Sequence, residues 1–352
     1  MKIDLESATK LVKEVLAKAV VPENSIDIIS DSMQYADRRG LTSHGIGRLP
    51  LYVRKIEAGH LNPRDEVKSV MDSEAVSILD AQNGFGQVAA KLAVEIGMKK
   101  ASRYGVAAIA VRNSNNFGTA GYFGQMAAVQ GMAAMIFANA SPAIAPTGGR
   151  KPIFGTNPIC FAFPGGEESD PIVFDMSTSV VARGKIRLAA KNGDKIPDTW
   201  ATDENGVPTE DPKAALNGTL QPVGGIKGYG LSLFVDIFAG LLAGSAYGGN
   251  VRQLSDMEHN SGNGHLFILI DIGKFLERDA IGDRVSSFKQ VVKSCGNEGD
   301  VFLPGELGNL RMESHQNYIE LSDKQVEEIN NTALSSGVSA RLENYDERRI
   351  IK

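Results

Sequence analysis

A chain of 352 residues with 42% apolar and 22% charged residues is long enough to bury a large core, and its balance is that of an ordinary globular protein. The net charge of −5, with no dense Lys/Arg block, argues against nucleic acid as a partner. Two cysteines, Cys160 and Cys295, lie far apart with no CxxC spacing, which points to free thiols in a reduced, cytoplasmic setting.

The opening stretch MKIDLESATKLVKEVLAKAV carries charge throughout, which predicts an amphipathic helix rather than a secretory signal. Leu5, Leu11, Val12, Val15 and Leu16 form its apolar stripe. PENSIDIISDSMQYADRRG reads as a second helix, with Ile26, Ile28, Ile29, Met33 and Ala36 inward and Gly40 as its stop. GRLPLYVRKIEAGHLNP is a third helical segment ended by Gly59 and Pro63, so the first seventy or so residues read as helices. Composition then shifts. Residues 75–80 and 106–114 read as strands around the helix QVAAKLAVEIGMKKASRYG. GTAGYFGQMAAVQG is a small-residue helix, followed by the strands MAAMIFANAS, ICFAFP and PIVFDMS. YGLSLFVDIFAGLLAGSAYGG is strongly apolar, but Asp236 and its glycines favour a buried core helix over a membrane span. GHLFILIDIGKF is a strand with an acidic end. From Leu276 the chain is helical and charged around an extended VFLPGE, and the tail after Val338 is polar and expected to be mobile. The fold class is α+β. A helical domain built from both chain ends (1–74 and 301–352) covers a mixed, largely antiparallel sheet domain (75–300) that binds the cofactor.

AVSILDAQNGFGQVAAKLA places Gly84, Gly86 and Ala89 between a strand and a helix, matching the dinucleotide fingerprint G-x-G-x-x-A. That fingerprint wants an acidic residue at the end of the next strand, where this chain has Arg112 and Asn113. Asn83-Gly84 is also a plain turn dipeptide. A Rossmann fold is therefore not expected.

RRGLTSHGIGRLP raises the catalytic question. If the third helix begins near His44, then His44 and Arg48 share one face at i,i+4 spacing. A histidine moves protons near neutral pH, and an arginine grips a carboxylate bidentately, so the pair suits a 2-oxo or 2-hydroxy acid. The plain alternative is a capping serine beside a solvated histidine. His60 reads as a helix-end histidine and His315 as a solvated one, while His259 and His265 lack a metal-ligand pattern, so no metal site is expected.

DRRGLTSHGIGRLPLY, GTNPICFAFP, FDMSTSVVARGKI, IPDTWATDENGVPTEDP, GGIKGYGLSLFVDIFAGLLAG, GHLFILIDIGKF and FLPGE occur in that order. The series resembles the malate/L-lactate dehydrogenase-like oxidoreductase family, which includes ureidoglycolate and sulfolactate dehydrogenases. The resemblance implies hydride transfer between NAD, with NADP as the alternative, and C2 of a small 2-hydroxy/2-oxo acid, in a homodimer with a non-Rossmann cofactor fold. It makes His44 the proton donor and acceptor and Arg48 the carboxylate anchor. Asp175, Met176 and Ser177 would line the cofactor, Lys227 would meet it near a helix start, and Gly305 and Glu306 would close over it. Lys227 also suits a phosphate at a helix N-terminus, or simply a glycine-rich turn, and Asp175 could cap a strand end. Trp200 lies either in a lid or packed on the surface. Arg183 or Arg187 could meet a 2′-phosphate.

Asn116 departs from the family, which commonly has histidine there. An asparagine orients a substrate oxygen but takes up no proton near pH 7. Asn116 is assigned that orienting role, with His44 alone shuttling the proton. The alternatives are a cyclic imine carboxylate reductase and a cofactor-binding protein with weakened catalysis.

Overall fold

A computed structural model describes residues 1–64, 66–166 and 169–346 of the chain. Lys2–Asp4 form a short strand, β1, and Asp4 caps α1 (Leu5–Lys18) by accepting a hydrogen bond from the Ser7 N–H at 2.8 Å. The stripes of α1 and α2 (Glu23–Arg38) are buried as their spacing predicts, except that Leu5 and Ile28 are only half-buried. Gly40, at φ +77°, closes α2. Two 3-10 turns follow, Thr42–His44 and Ile46–Arg48, and lead directly into α3 (Leu49–Glu57), with Pro50 in its first turn.

β2 (Lys68–Asp72) and β3 (Val76–Asp80) enter a seven-stranded sheet. α4 (Gly86–Tyr104) crosses over it to β4 (Val106–Ser114), and α5 (Ala120–Ala128) leads to β5 (Met132–Ala138), β6 (Ile159–Phe163) and β7 (Ile172–Met176). α6 (Arg183–Asn192), β8 (Ala201–Thr202), α7 (Pro212–Asn217) and β9 (Thr219–Leu220) form an excursion before α8 (Ile226–Asp236) and a π-helical turn, Ile237–Leu242. β10 (Asn263–Asp271) returns to the middle of the sheet. α9 (Arg278–Lys293), α10 (Glu306–Ser314), β11 (Tyr318–Glu320) and α11 (Asp323–Ser335) complete the elements. The order is β2-β3-β4-β10-β5-β6-β7, and only β3 and β4 run parallel. Among the described residues no helix is long and apolar enough to cross a membrane.

Small residues on α4 and α5 let both helices lie close on the sheet. Ala89, Ala90, Ala93 and Ala101 are buried, and a Cβ at Gly97 would stand 2.7 Å from Leu269. A second core joins α1, α2, α3, β11 and α11, with Phe85 and Leu254 added from the sheet side. A third surrounds Ile144, Ile186 and Leu220. Trp200 is half-buried against it, so it acts here as a packing residue.

Three short elements were not legible locally. β1 pairs antiparallel with β11, more than three hundred residues away, and β2 lies where helix was expected. The tail expected to be mobile after Val338 is docked as far as it is described. Asp4 donates to the Glu343 carbonyl at 2.8 Å, Tyr345 to the Lys2 carbonyl at 3.0 Å, and Leu342 is buried. The last of it, residues 347–352, lies outside the described residues.

Ending the chain after Val338 should cost about 3 kcal/mol or more, from two backbone hydrogen bonds and one buried leucine. Thermal unfolding of the shortened chain reads this as a lowered Tm. An unchanged Tm would make the docking energetically empty.

Candidate active site

Asp37, 1% exposed near the end of α2, holds the two 3-10 turns from beneath. Its carboxylate accepts a hydrogen bond from the Ile46 N–H at 2.8 Å. A Cβ at Gly45 would stand only 1.8 Å from it, so glycine alone fits. Burial pushes the Asp37 carboxyl up to about 7, with the Ile46 N–H pulling the other way. Its Oδ1 is buried without a hydrogen-bond partner.

Above this brace, the Ser43 Oγ lies 2.8 Å from His44 Nδ1, and Arg48 Nε donates to the Ser43 carbonyl at 2.6 Å. The pair therefore stands on successive 3-10 turns rather than on one α-helical face, and Ser43 links them. Both side chains are half-buried. Loss of solvent, and next the Arg48 charge, push His44 down to about 3. The imidazole is thus neutral beside a guanidinium whose terminal nitrogens have no protein hydrogen bond among the described residues.

One turn further, the buried Tyr52 hydroxyl accepts from Gln87 Nε2 at 2.9 Å, and its ring meets Phe85 edge-on with centroids 5.4 Å apart. Gln87 is the second residue of α4. The first, Gly86, touches the Asn115–Asn116 backbone so closely that a Cβ would be 2.3 Å from the Asn115 carbonyl oxygen. The first residue of α4 is thus packed against the protein's own main chain. Asn116, half-buried, accepts the Gly118 N–H on its Oδ1 at 3.1 Å and keeps its amide N–H groups to donate. His265 stands behind this loop, buried, with Nε2 3.0 Å from Ser114 Oγ and its ring 4.6 Å from that of Phe117. Burial pushes it down to about 3, so it is a neutral core histidine. Asp37, Tyr52 and Gln87 were missed by the sequence reading. Only the helix-end acid ahead of Gly45 left a trace in the sequence.

The residues expected around the cofactor fall into one connected region. At the end of β7, Asp175 accepts the Gly121 N–H on its Oδ2 at 2.7 Å. The residue keeps an accessible surface, yet loss of solvent at the carboxyl pushes it up to about 6. The Gly121 and Ala120 N–H groups and Arg39 oppose this. Met176 pairs with Ile159 across the sheet. Ser177 Oγ donates to the Ser179 carbonyl at 3.2 Å, and Thr178 N–H donates to the Thr156 carbonyl of GTNP at 2.8 Å. Val223 N–H then reaches the Thr178 carbonyl at 2.9 Å, leading through Gly224 and Gly225 (φ +61° and +64°) to the exposed Lys227, second residue of α8. On the other side, Arg39 Nη2 donates to the Gly305 carbonyl at 2.9 Å, and Val173 N–H to the Pro304 carbonyl at 3.2 Å. The Glu306 carboxylate already has protein partners, the Leu303 N–H and Lys293 Nζ, each at 3.0 Å.

A family model described as malate/L-lactate dehydrogenase matches residues 3–330. The chain belongs to that family. It is 39% identical over 330 residues to the L-sulfolactate dehydrogenase of Methanothermobacter thermautotrophicus, covering 94% of this chain and 95% of that one. It is 35% identical to the (2R)-3-sulfolactate dehydrogenase (NADP(+)) of Chromohalobacter salexigens, with 95% and 98% covered. The ureidoglycolate dehydrogenase (NAD(+)) of Escherichia coli K12 is 34% identical, with 87% and 88% covered. The solved sulfolactate dehydrogenase of Methanocaldococcus jannaschii superposes with a TM-score of 0.90 at 35% identity, covering 96% of this chain and 98% of that one.

The brace predicts a pH signature. Asp37 holds its proton more tightly folded (about 7) than unfolded (about 4), so its stabilising effect is full below pH ~4 and is lost as pH rises through ~7. His44, pushed down, has the opposite slope, but it is present in both wild type and Asp37→Asn and cancels. Urea unfolding from pH 4 to 8 should show wild type losing stability relative to Asp37→Asn. A constant difference would remove the buried acid.

Proposed function

We propose that this member of the malate/L-lactate dehydrogenase family is an oxidoreductase that moves a hydride between NAD, or NADP, and C2 of a small 2-hydroxy/2-oxo acid. The observation that carries the reading is the neutral His44 imidazole beside the open end of the Arg48 guanidinium, both fixed through Ser43. An oxo acid laid on Arg48 by its carboxylate puts its reacting oxygen within the reach of His44. The arriving anion offsets the Arg48 charge, one of the two causes that hold the imidazole down, and so raises His44 toward the range where it can exchange a proton with that oxygen. Asn116 donates an amide N–H to the same oxygen and fixes its direction.

The dinucleotide region fits its group. Lys227 is exposed at a helix start that follows two positive-φ glycines, a setting that suits a phosphate. Asp175 keeps one carboxylate oxygen for a ribose hydroxyl, Met176 and Ser177 extend that wall, and Gly305 and Glu306 flank it from the LPGE turn. When bound, the nicotinamide supplies or takes up the hydride. The residues that would hold the cofactor stand at the end of β7, at the start of α8 and in the LPGE turn, in the largely antiparallel part of the sheet, which supports a non-Rossmann site beside the helical domain assigned to both chain ends.

A homodimer fits the apolar side chains that α8 and its π turn leave exposed, Ile226, Leu231, Phe234, Leu241 and Leu242. A reduced, cytoplasmic setting is supported by two free thiols, Cys160 buried and Cys295 exposed.

Replacing His44 with alanine should lower turnover of 2-oxo acids about a hundredfold or more. Undiminished steady-state rates would take His44 out of the mechanism. Asn116 favours a second reading, reduction of a cyclic imine carboxylate, whose C=N arrives already protonated. Imine turnover that survives His44→Ala while oxo-acid turnover does not would select it.

A further inference from the structure

β4 does not end as a regular strand. Against β10, Val111 pairs with His265 and Ser114 with Asn263, so Arg112 and Asn113 together stand opposite Gly264 alone. That is a β-bulge, an extra residue that bends the strand end and re-aims the side chains that follow. Asn113 in the bulge is left-handed, at φ +50°. Gln82 and Asn83, in the loop that leaves β3 beside it, are left-handed as well, at φ +51° and +59°. Three of the five non-glycine residues with positive φ among the described residues thus meet at this one place, where glycine would relieve the strain.

One carboxylate holds all of it. Asp80 ends β3 and is buried. Its Oδ2 accepts from both bulge residues, Asn113 Nδ2 at 2.9 Å and Arg112 Nε at 3.0 Å. Its Oδ1 accepts the Gln82 N–H at 2.9 Å and Gln82 Nε2 at 2.7 Å. Burial pushes the carboxyl up, but the hydrogen bonds from Gln82, Arg112 and Asn113 outweigh it and hold the group below the usual carboxylate range. Main-chain contacts complete the clamp. The Asn83 N–H donates to the Asn113 carbonyl at 2.8 Å, and Asn115 Nδ2 donates to the Asn83 and Gly84 carbonyls at 2.8 and 3.0 Å. The two loops therefore form one body. It carries Asn116 at one end, and at the other Phe85 and Gln87, which touch Tyr52. Strained backbone persists only where its surroundings over-determine it, and it collects at sites that need exact placement.

We propose that Asp80 and Asn113 are positioning residues, which clamp the bulge at the end of β4 so that the Asn116 amide is aimed at the reacting oxygen of the substrate. The inference rests on Asn116 as the residue that orients that oxygen. Asn116 has one side-chain oxygen already engaged by the Gly118 N–H, so its amide direction is set by where the loop backbone lies. Asp80 fixes that backbone three residues earlier, at Asn113, and the Asn115 amide fixes it again one residue earlier.

The experiment measures kcat and KM of the full chain for oxaloacetate, sulfopyruvate and pyruvate, with NADH and NADPH separately. The proteins are wild type, Asn113→Gly, Asn116→Ala, the Asn113→Gly/Asn116→Ala double variant and Asp80→Asn. Glycine takes up the left-handed backbone freely but offers no amide to Asp80. The expected result is a kcat about tenfold or more lower in Asn113→Gly, with KM for the dinucleotide unchanged. Added to Asn116→Ala, the same substitution should cost nothing further, because the group it aims is gone. Asp80→Asn should repeat the pattern, and Asn113→Gly decides alone if that variant does not fold. An undiminished kcat in Asn113→Gly overturns the inference, and so does an equal loss in both backgrounds, which would leave the clamp a stabilising contact only. If wild type reduces none of the acids, the hydride-transfer reading fails by itself, and amide hydrogen exchange decides the clamp. Residues 114–118 must then exchange about tenfold faster in Asn113→Gly than in wild type, with α1 unchanged; equal rates in the two proteins would reject it.

Discussion

The buried carboxylate of Asp37 is the contact on which the site depends. It receives the Ile46 N–H, leaves room only for glycine at position 45, and so fixes the turn that presents His44 and Arg48. The two residues after it grip other segments. Arg38 donates to the His315 and Met312 carbonyls at 3.2 and 3.1 Å, and Arg39 to the Gly305 carbonyl, so α2 ends by holding the proposed catalytic turns, α10 and the LPGE turn together. A single helix end thus ties the proposed acid-binding side to the proposed dinucleotide-binding side. A buried acid with an unpartnered oxygen is a costly choice, and its benefit here is position rather than stability.

Loss of solvent sets three protonation states in opposite directions. It pushes Asp37 up to about 7 and Asp175 up to about 6, and His44 down to about 3. Beside His44, the Arg48 guanidinium has no carboxylate partner among the described residues. In the proposed function, an incoming organic anion supplies the missing charge, and the same anion readies the imidazole. Under that reading, binding and proton transfer are coupled by electrostatics.

Much of the architecture was legible because its signals are local. The stripe from Leu11 to Leu16 made α1, the apolar run 106–114 made β4, and Gly40 stopped α2 where expected. The turn at Gly84 to Ala89 was set aside for lack of a strand-end acid, and Gly86 there packs closely on the Asn115–Asn116 backbone. The failures were non-local. β1, β11 and the tail from Val338 are polar and short, and each is ordered only by partners at the opposite chain end.

At the site, the sequence by itself determined the chemistry on offer: an imidazole and a guanidinium four residues apart, an asparagine that takes up no proton, and a lysine at a glycine-rich helix start. Residue type fixes which protons and charges a side chain can carry, and that is readable without coordinates. The tertiary structure alone decided that His44 and Arg48 meet through Ser43 on 3-10 turns, that Asp37 braces them, and that the buried Lys55 ammonium of α3 reaches the Asp256 carbonyl. Those contacts join segments up to about two hundred residues apart, and their strength comes from burial, which exists only once the chain has folded.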